Sequence, residues 1–376
     1  MKKIISIALA LLMVAVMLPV MAMAEGATVV KTKDELTAAV AKGGEVTLGD
    51  NITASITIPK DKTVTLNLNG KTLTNEADMD TITVALGGTL TIEGTGTVDN
   101  ISHGRAAVYN NGTVTINGGT YTRSAEKGTG KDPDSNNGNS WYTICNHGVM
   151  TVNAGVTVTN TGTFSSVFEN GYQSYTGNNE RSNYVAGTNN AAPALTINGG
   201  TFEGGKITIK NDDGGILKIG GGRFTNNGNR VVFNANKAEI NGGEFYCPAT
   251  YFGNEIAVDT LYADGGQNAG QLTITGGTFD GKVTQSNGAV TTVSGGTFKK
   301  GVDKSYIVDG KKLDANGNVV PESITIIVPS DGGNTTTTPS TDNTKNPGTG
   351  ANDFVGVAAA LAVVSLLGAA AVIRKK

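Results

Sequence analysis

The chain is poor in the residues from which small active sites and staples are made. It has two cysteines, two histidines and one tryptophan among 376 residues. Cys145 and Cys247 are too far apart for a dense disulfide framework. Pairing them would require a loop to fold back along the body, so two isolated, buried thiols are the expectation. His103 and His147 have no cysteine or second histidine at ligand spacing, which excludes a sequence-encoded zinc site and leaves them as turn residues. No metal or other cofactor is implied. A basic patch is also missing. Without Lys2, Lys3, Arg374, Lys375, Lys376 and Asp353, the totals of 29 Lys+Arg and 32 Asp+Glu become 24 and 31 for residues 25–350. That net charge of about −7 speaks against nucleic acid as a partner. Long apolar runs are confined to the two ends.

Those ends read as addresses. Lys2 and Lys3 precede an apolar run from Ile4 to Val20, and Ala22-Met23-Ala24 follows. This is the pattern of a secretory signal peptide, residues 1–24, cleaved between Ala24 and Glu25 into an oxidising compartment. At the other end, residues 329–345 are rich in Thr, Ser, Pro and Asn with no apolar period, as expected of a solvated linker. Asn346-Pro347-Gly348-Thr349-Gly350 comes next, then an uncharged stretch at 354–373 long enough to span a bilayer, then Arg374-Lys375-Lys376.

What the chain has in abundance is glycine, 53 residues, most visibly in a repeated phrase. Leu195-Thr196-Ile197-Asn198-Gly199-Gly200-Thr201-Phe202 is its clearest copy. Aligned on the last inward aliphatic residue, the copies fall at Leu68, Ile92, Ile116, Val152, Ile197, Ile219, Ile240, Ile274 and Val293. Leu73, Tyr121, Phe202, Phe224, Phe245, Phe279 and Phe298 stand five positions later. Another apolar residue stands two positions before most anchors. Period two on each side of a Gly-Gly corner means two short strands with one face buried. The intervals of 24, 24, 36, 45, 22, 21, 34 and 19 residues are too short for a unit to bury its own apolar face, so the units must stack. The expected fold is all-β, a right-handed parallel β-helix with a short N-terminal capping helix. Asn110, Asn146, Asp213, Asn234, Asn268 and Asn287, each six positions before an anchor, predict an internal amide ladder.

The expected organisation is an N-terminal cap at 25–60 with a helix over 34–41, repeats at 61–300 and a C-terminal cap at 301–328. Such caps protect the hydrophobic ends and open strand edges of a solenoid. With these residues in view, the repeat resembles the right-handed parallel β-helix superfamily often called pectate-lyase-like. The C-terminal pentapeptide, apolar span and basic tail resemble the cell-wall sorting signal of Gram-positive surface proteins, with Asn346 in place of the leucine of the Leu-Pro-x-Thr-Gly motif. The second resemblance implies cleavage by a sortase between Thr349 and Gly350, transfer to peptidoglycan, a cell-wall location, and membrane contact only before sorting.

Chemistry is expected where the repeat is interrupted, at about 123–145, 159–190 and 246–267. All three insertions are expected to fall between the aromatic strand and the next Asn corner, and so on one side of the body. They contain Trp141, Tyr142, Phe168, Tyr172, Tyr175, Tyr184, Tyr251 and Tyr262, a set suited to stacking on sugar rings. Adhesion, or binding of an extracellular glycan or host protein, is the leading reading. The alternatives are a polysaccharide lyase or glycoside hydrolase and a passive surface stalk. For the enzyme, Asn211-Asp212-Asp213 is the nearest local match, while Asp132, Asp134 and Arg181 lack ligand spacing. Gly220-Gly221-Gly222 is a repeat corner, not a strand-to-helix phosphate loop. If the sorting signal works as its residues imply, Thr349→Ala expressed in a sortase-positive Gram-positive host moves the chain out of the wall fraction. Cell fractionation with mass spectrometry of the wall-linked carboxyl end checks this, and unchanged wall linkage contradicts it.

Overall fold

The computed structural model describes residues 26–102, 104–124, 141–162, 166–171, 193–212, 214–227, 229–248, 253, 255–261, 269–286 and 288–322. All of these belong to one compact unit. Ala24, Glu25, Asn346, Pro347, Thr349, Gly350 and the apolar stretch at 354–373 lie outside the described residues.

The fold is a parallel β-helix. Three sheets of eleven, ten and nine strands form its walls, and the chain visits them in turn. One coil shows the pattern. Thr113–Ile116 lies in the first sheet, Gly119–Thr122 in the second and Ile144–Asn146 in the third. Val149–Val152 then stacks on Thr113–Ile116, with Thr113 opposite Val149 and Ile116 opposite Val152. The repeated phrase accounts for two of these walls. The third wall, made of strands such as Ile82–Val84, Phe168–Asn170 and Ile207–Asn211, is additional to it.

Alternation decides which residues face inward. Every aliphatic anchor from Leu68 to Val293 is buried, as are the large apolar residues that follow the corner. The first copy is offset: Leu66, not Leu68, pairs with Ile92. In the second sheet Phe202, Phe224, Phe245, Phe279 and Phe298 form one continuous stack, with ring centroids 4.8–4.9 Å apart and planes within 8°. This spacing is the separation of neighbouring strands, so the stack follows from the register. Each pair contributes on the order of 1 kcal/mol beyond its buried area.

The two glycines of the corner are needed for different reasons. The second has a left-handed φ of 105° at Gly200, 102° at Gly243 and 106° at Gly296, which other residues rarely adopt. The first sits under the coil before it. A Cβ on Gly242 would lie 2.4 Å from the Gly220 carbonyl oxygen, and one on Gly276 would lie 2.3 Å from that of Asn241.

The amide ladder is internal and runs Asn110, Asn146, Asn170, Asn211, Asn234. Each Nδ2 donates to the next Oδ1 at 2.7, 2.7, 2.7 and 2.8 Å. The Oδ1 of Asn110 and Asn146 also accepts the backbone N–H two residues on, which pins the turn. Asn110, Asn146 and Asn234 are the expected rungs. Asn211 takes the place expected of Asp213, and Asn170 is an unforeseen rung. Asp213, Asn268 and Asn287 lie outside the described residues. A second, exposed ladder joins Asn198 to Asn153 and Asn153 to Asn117 at the Gly-Gly corner.

Both ends are covered. Helix Lys33–Lys42 starts at Thr32, whose hydroxyl and the Glu35 carboxylate form a reciprocal capping box. Leu36, Ala39 and Val40 turn its apolar stripe onto the first coil. At the far end Val308 N–H donates to the Val293 carbonyl, and Asn318 pairs with Thr297. The hairpin of Lys311–Leu313 and Val319–Pro321 follows, with Val302, Tyr306, Leu313 and Val319 against the core.

The two ladders are expected to differ in stability. Asn146→Ala strips three buried side-chain bonds and a part-buried one to the Ala194 carbonyl, and leaves the Asn170 Oδ1 without its ladder donor, a loss of about 2–4 kcal/mol. The exposed Asn153→Ala loses less than about 1 kcal/mol because water replaces its partners. Urea denaturation of the two variants beside the parent checks the ordering.

Candidate functional site

The three walls differ most on their outer faces. The first sheet presents a column of Thr65, Thr91, Thr115, Thr151 and Thr196. The second presents Thr72, Thr97, Thr120, Thr157 and Thr201. These β-branched side chains suit a half-exposed pleated surface. On the third sheet the column instead runs Thr83, Tyr109, Cys145, Glu169, Lys210, Phe233, Asp259. From Cys145 to Asp259 every member is at most 8% exposed, although this is the outside of the coil.

The interruptions of the repeat border this same sheet. Residues 125–140 and 249–252 precede its strands Ile144–Asn146 and Ile256–Thr260, whereas 172–192 and 262–268 follow Phe168–Asn170 and Ile256–Thr260. The expectation that every insertion lies before the Asn corner is therefore corrected. Phe168–Asn170 divides the second insertion, and its main part leaves after the ladder rung Asn170. The chain departs from both edges of the third sheet.

A compact set of polar side chains occupies the covered face. Strand register places Glu169 between Cys145 and Lys210. Lys210 Nζ lies 3.0 Å from an Asp212 carboxylate oxygen and 3.2 Å from the Tyr142 hydroxyl, and 5.5 Å from that ring's centre. His147 Nε2 lies 3.4 Å from a Glu169 carboxylate oxygen, and the Tyr109 ring meets the imidazole edge-on at 5.2 Å. Further along, Arg230 bridges to Asp259 at 2.8 Å and lies over Phe233. The buried Arg123 reaches from the second sheet, donating to the carbonyls of Trp141 and Ser102 at 2.7 and 3.0 Å.

Burial and neighbouring charges act together on this set, in which both Glu169 carboxylate oxygens are buried without a hydrogen-bond donor among the described residues. Burial works against ionisation of Glu169, but the close approach of His147, with Lys210 and Cys145, outweighs it and holds the carboxyl below its ordinary range. Burial, reinforced by the Glu169 charge, pushes the Cys145 thiol well up, so it is not a thiolate nucleophile. Burial and the same carboxylate raise the Tyr142 phenol. Cys145 and Cys247 are buried and not joined in a disulfide. Among the described residues no group of three or more His, Cys, Asp or Glu side chains is placed to hold a metal ion.

The aromatics singled out from sequence divide into three groups. Trp141 and Tyr142 are half-buried neighbours, ring centroids 5.7 Å apart, where the chain enters the third sheet. Phe168 has no exposed surface; its ring packs 6.5 Å from Phe202 inside the coil, so it is a wall residue and unavailable to a surface ligand. Tyr172, Tyr175, Tyr184, Tyr251 and Tyr262 lie outside the described residues. Sequence reasoning did not assemble His147, Glu169, Lys210 and Asp212. Their signal was local: the residue before each ladder Asn points outward, and in Cys145-Asn146-His147 and Lys210-Asn211-Asp212 the residue after it is also polar.

Comparison with known proteins adds no relative: no family model, no curated protein and no solved structure matches the chain.

The network has a pH signature. Because the folded pKa of Glu169 lies below the ordinary 4.5, its ionised form stabilises the fold above that value. The contribution fades as pH falls from there through the folded pKa. Glu169→Gln should cost about 3 kcal/mol at neutral pH by leaving His147 without its carboxylate, while Lys210 keeps Asp212. It should also flatten the acid limb. Urea midpoints of parent and variant from pH 7 to pH 3 measure both effects, and parallel curves contradict the assignment.

Proposed function

We propose that the chain is a secreted, wall-anchored surface protein whose β-helix carries a binding face for an extracellular glycan or a host protein on its third sheet. The observation that carries this reading is the confinement of the long interruptions to the edges of one wall. The outer column of that wall changes from threonine to a covered set of aromatic and charged residues. A stalk selected only for length has no need to differ among its walls. Trp141 and Tyr142 are partly buried, and what they leave exposed supplies aromatic surface of the kind that sugar rings favour. The signal peptide and sorting signal read from the sequence make sortase and peptidoglycan the other partners.

Catalysis fits less well. Lys210 sits against Asp212, Glu169 is engaged by His147, and the Cys145 thiol is held neutral, so none of these groups is poised to exchange a proton with a bound substrate. Binding is tested with Trp141→Ala on a glycan array and on immobilised host extracellular proteins. The reading expects at least a tenfold loss of signal with an unchanged melting curve. Equal signals from parent and variant, or no binding by the parent, would leave the stalk as the better description.

A further inference from the structure

The outer face of the first sheet carries an ordered pattern of its own. Its C-terminal six coils present two columns. One runs Thr151, Thr196, Lys218, Glu239, Thr273, Thr292. The other runs Val149, Ala194, Ile216, Lys237, Gln271, Val290. Val149, Ile216 and Val290 are 39%, 45% and 55% exposed, and all three fall in the second column. A shallow hollow lined by Ala194, Thr196, Ile216, Lys218, Lys237 and Glu239 lies at its centre.

The first column reads the same in both directions except at its centre, where opposite charges stand. Two threonines, a lysine, a glutamate and two threonines become self-complementary when a second copy is turned end for end. A two-fold axis running along the strands, between the coils of Leu217 and Ala238, would put Lys218 of each copy opposite Glu239 of the other. The same operation sets Thr196 against Thr273, Thr151 against Thr292 and Val149 against Val290. In the second column Ile216 meets the aliphatic stem of Lys237, and Ala194 meets Gln271. We propose that two copies of this chain pair antiparallel and face to face through this part of the first sheet. Each patch is then both halves of an isologous interface.

Charge supports a second copy as the occupant. The side chains of Lys218 and Glu239 are 52% and 47% exposed and pair loosely within the chain at 3.8 Å, with Glu239 also accepting from Asn241 Nδ2, so docking exchanges one exposed intrachain ion pair per copy for one across the interface. The overlap stops where the first sheet ends, at Val290–Val293. Six coils about 4.8 Å apart and strands about 13 Å long give roughly 300 Å² per copy, against about 800 Å² for a standard stable interface. The pairing is therefore weak and suited to crowding, when many copies share one surface.

Charge reversal provides the test, using the purified full chain in sedimentation equilibrium at low salt. The parent should show concentration-dependent dimers that weaken as salt is added. Lys218→Glu alone and Glu239→Lys alone each place like charges opposite one another and should weaken association at least tenfold. An equimolar mixture of the two single variants, and the double variant, should restore it. Circular dichroism confirms that each variant is folded. A parent monomeric at every concentration overturns the proposal, as does a dimer indifferent to the single reversals or a mixture that fails to recover. Association through the chain's ends would be blind to all of these substitutions.

Discussion

Successive coils lie one backbone hydrogen bond apart, and that vertical spacing governs the rest of the molecule. It brings five phenylalanine rings into one stack and five asparagine amides into one chain of hydrogen bonds. It also leaves no room for a Cβ where a corner passes under the carbonyl of the coil before it. Propensity alone would not favour so much glycine, which costs conformational entropy on ordering. The repeated Gly-Gly is tolerated because each pair lets the inward residues on either side of it stay in register with the coils above and below.

This spacing explains what could be read from the residues alone. Two walls were legible because the anchor and the aromatic keep a fixed offset across a corner that cannot change length. The third wall was hidden. Its inward face often rests on a single apolar side chain beside an asparagine, as in Val232 and Asn234, and the chain leaves the coil on one side or the other of its strands. Phe168 was misplaced for the same reason: lying outside the repeated phrase, it looked like a loop aromatic, whereas it fills the third wall beside Phe202. Asn170 was missed because a long interruption separates it from the next anchor, although it lies directly over Asn146 in space.

The covered face of the third sheet was least legible, because its order is ionic and runs between coils. Tyr142 with His147, Glu169, and Lys210 with Asp212 come from three neighbouring passes of the chain, and no fixed sequence spacing joins the three. Nor is such a network an economical way to stabilise a fold, since burying charge costs several kcal/mol per ion and a good partner only offsets it. What it offers here is position. Arg123 fixes the Trp141 backbone from the second sheet while Lys210 holds Tyr142 from the third, so the partly buried aromatic pair is fastened to two walls.

The caps carry a consequence for growth. A stack of parallel coils is a template, and a copy seated on its end could continue all three sheets into a fibre. At the C-terminal end Ile307 and Val308 meet the last strand of the first sheet and Asn318 meets that of the second. At the N-terminal end helix Lys33–Lys42 packs against the first strands of the first and third sheets. Neither end offers three free edges at once, so a copy arriving on the axis finds no complete template, and the helix has a fixed number of turns.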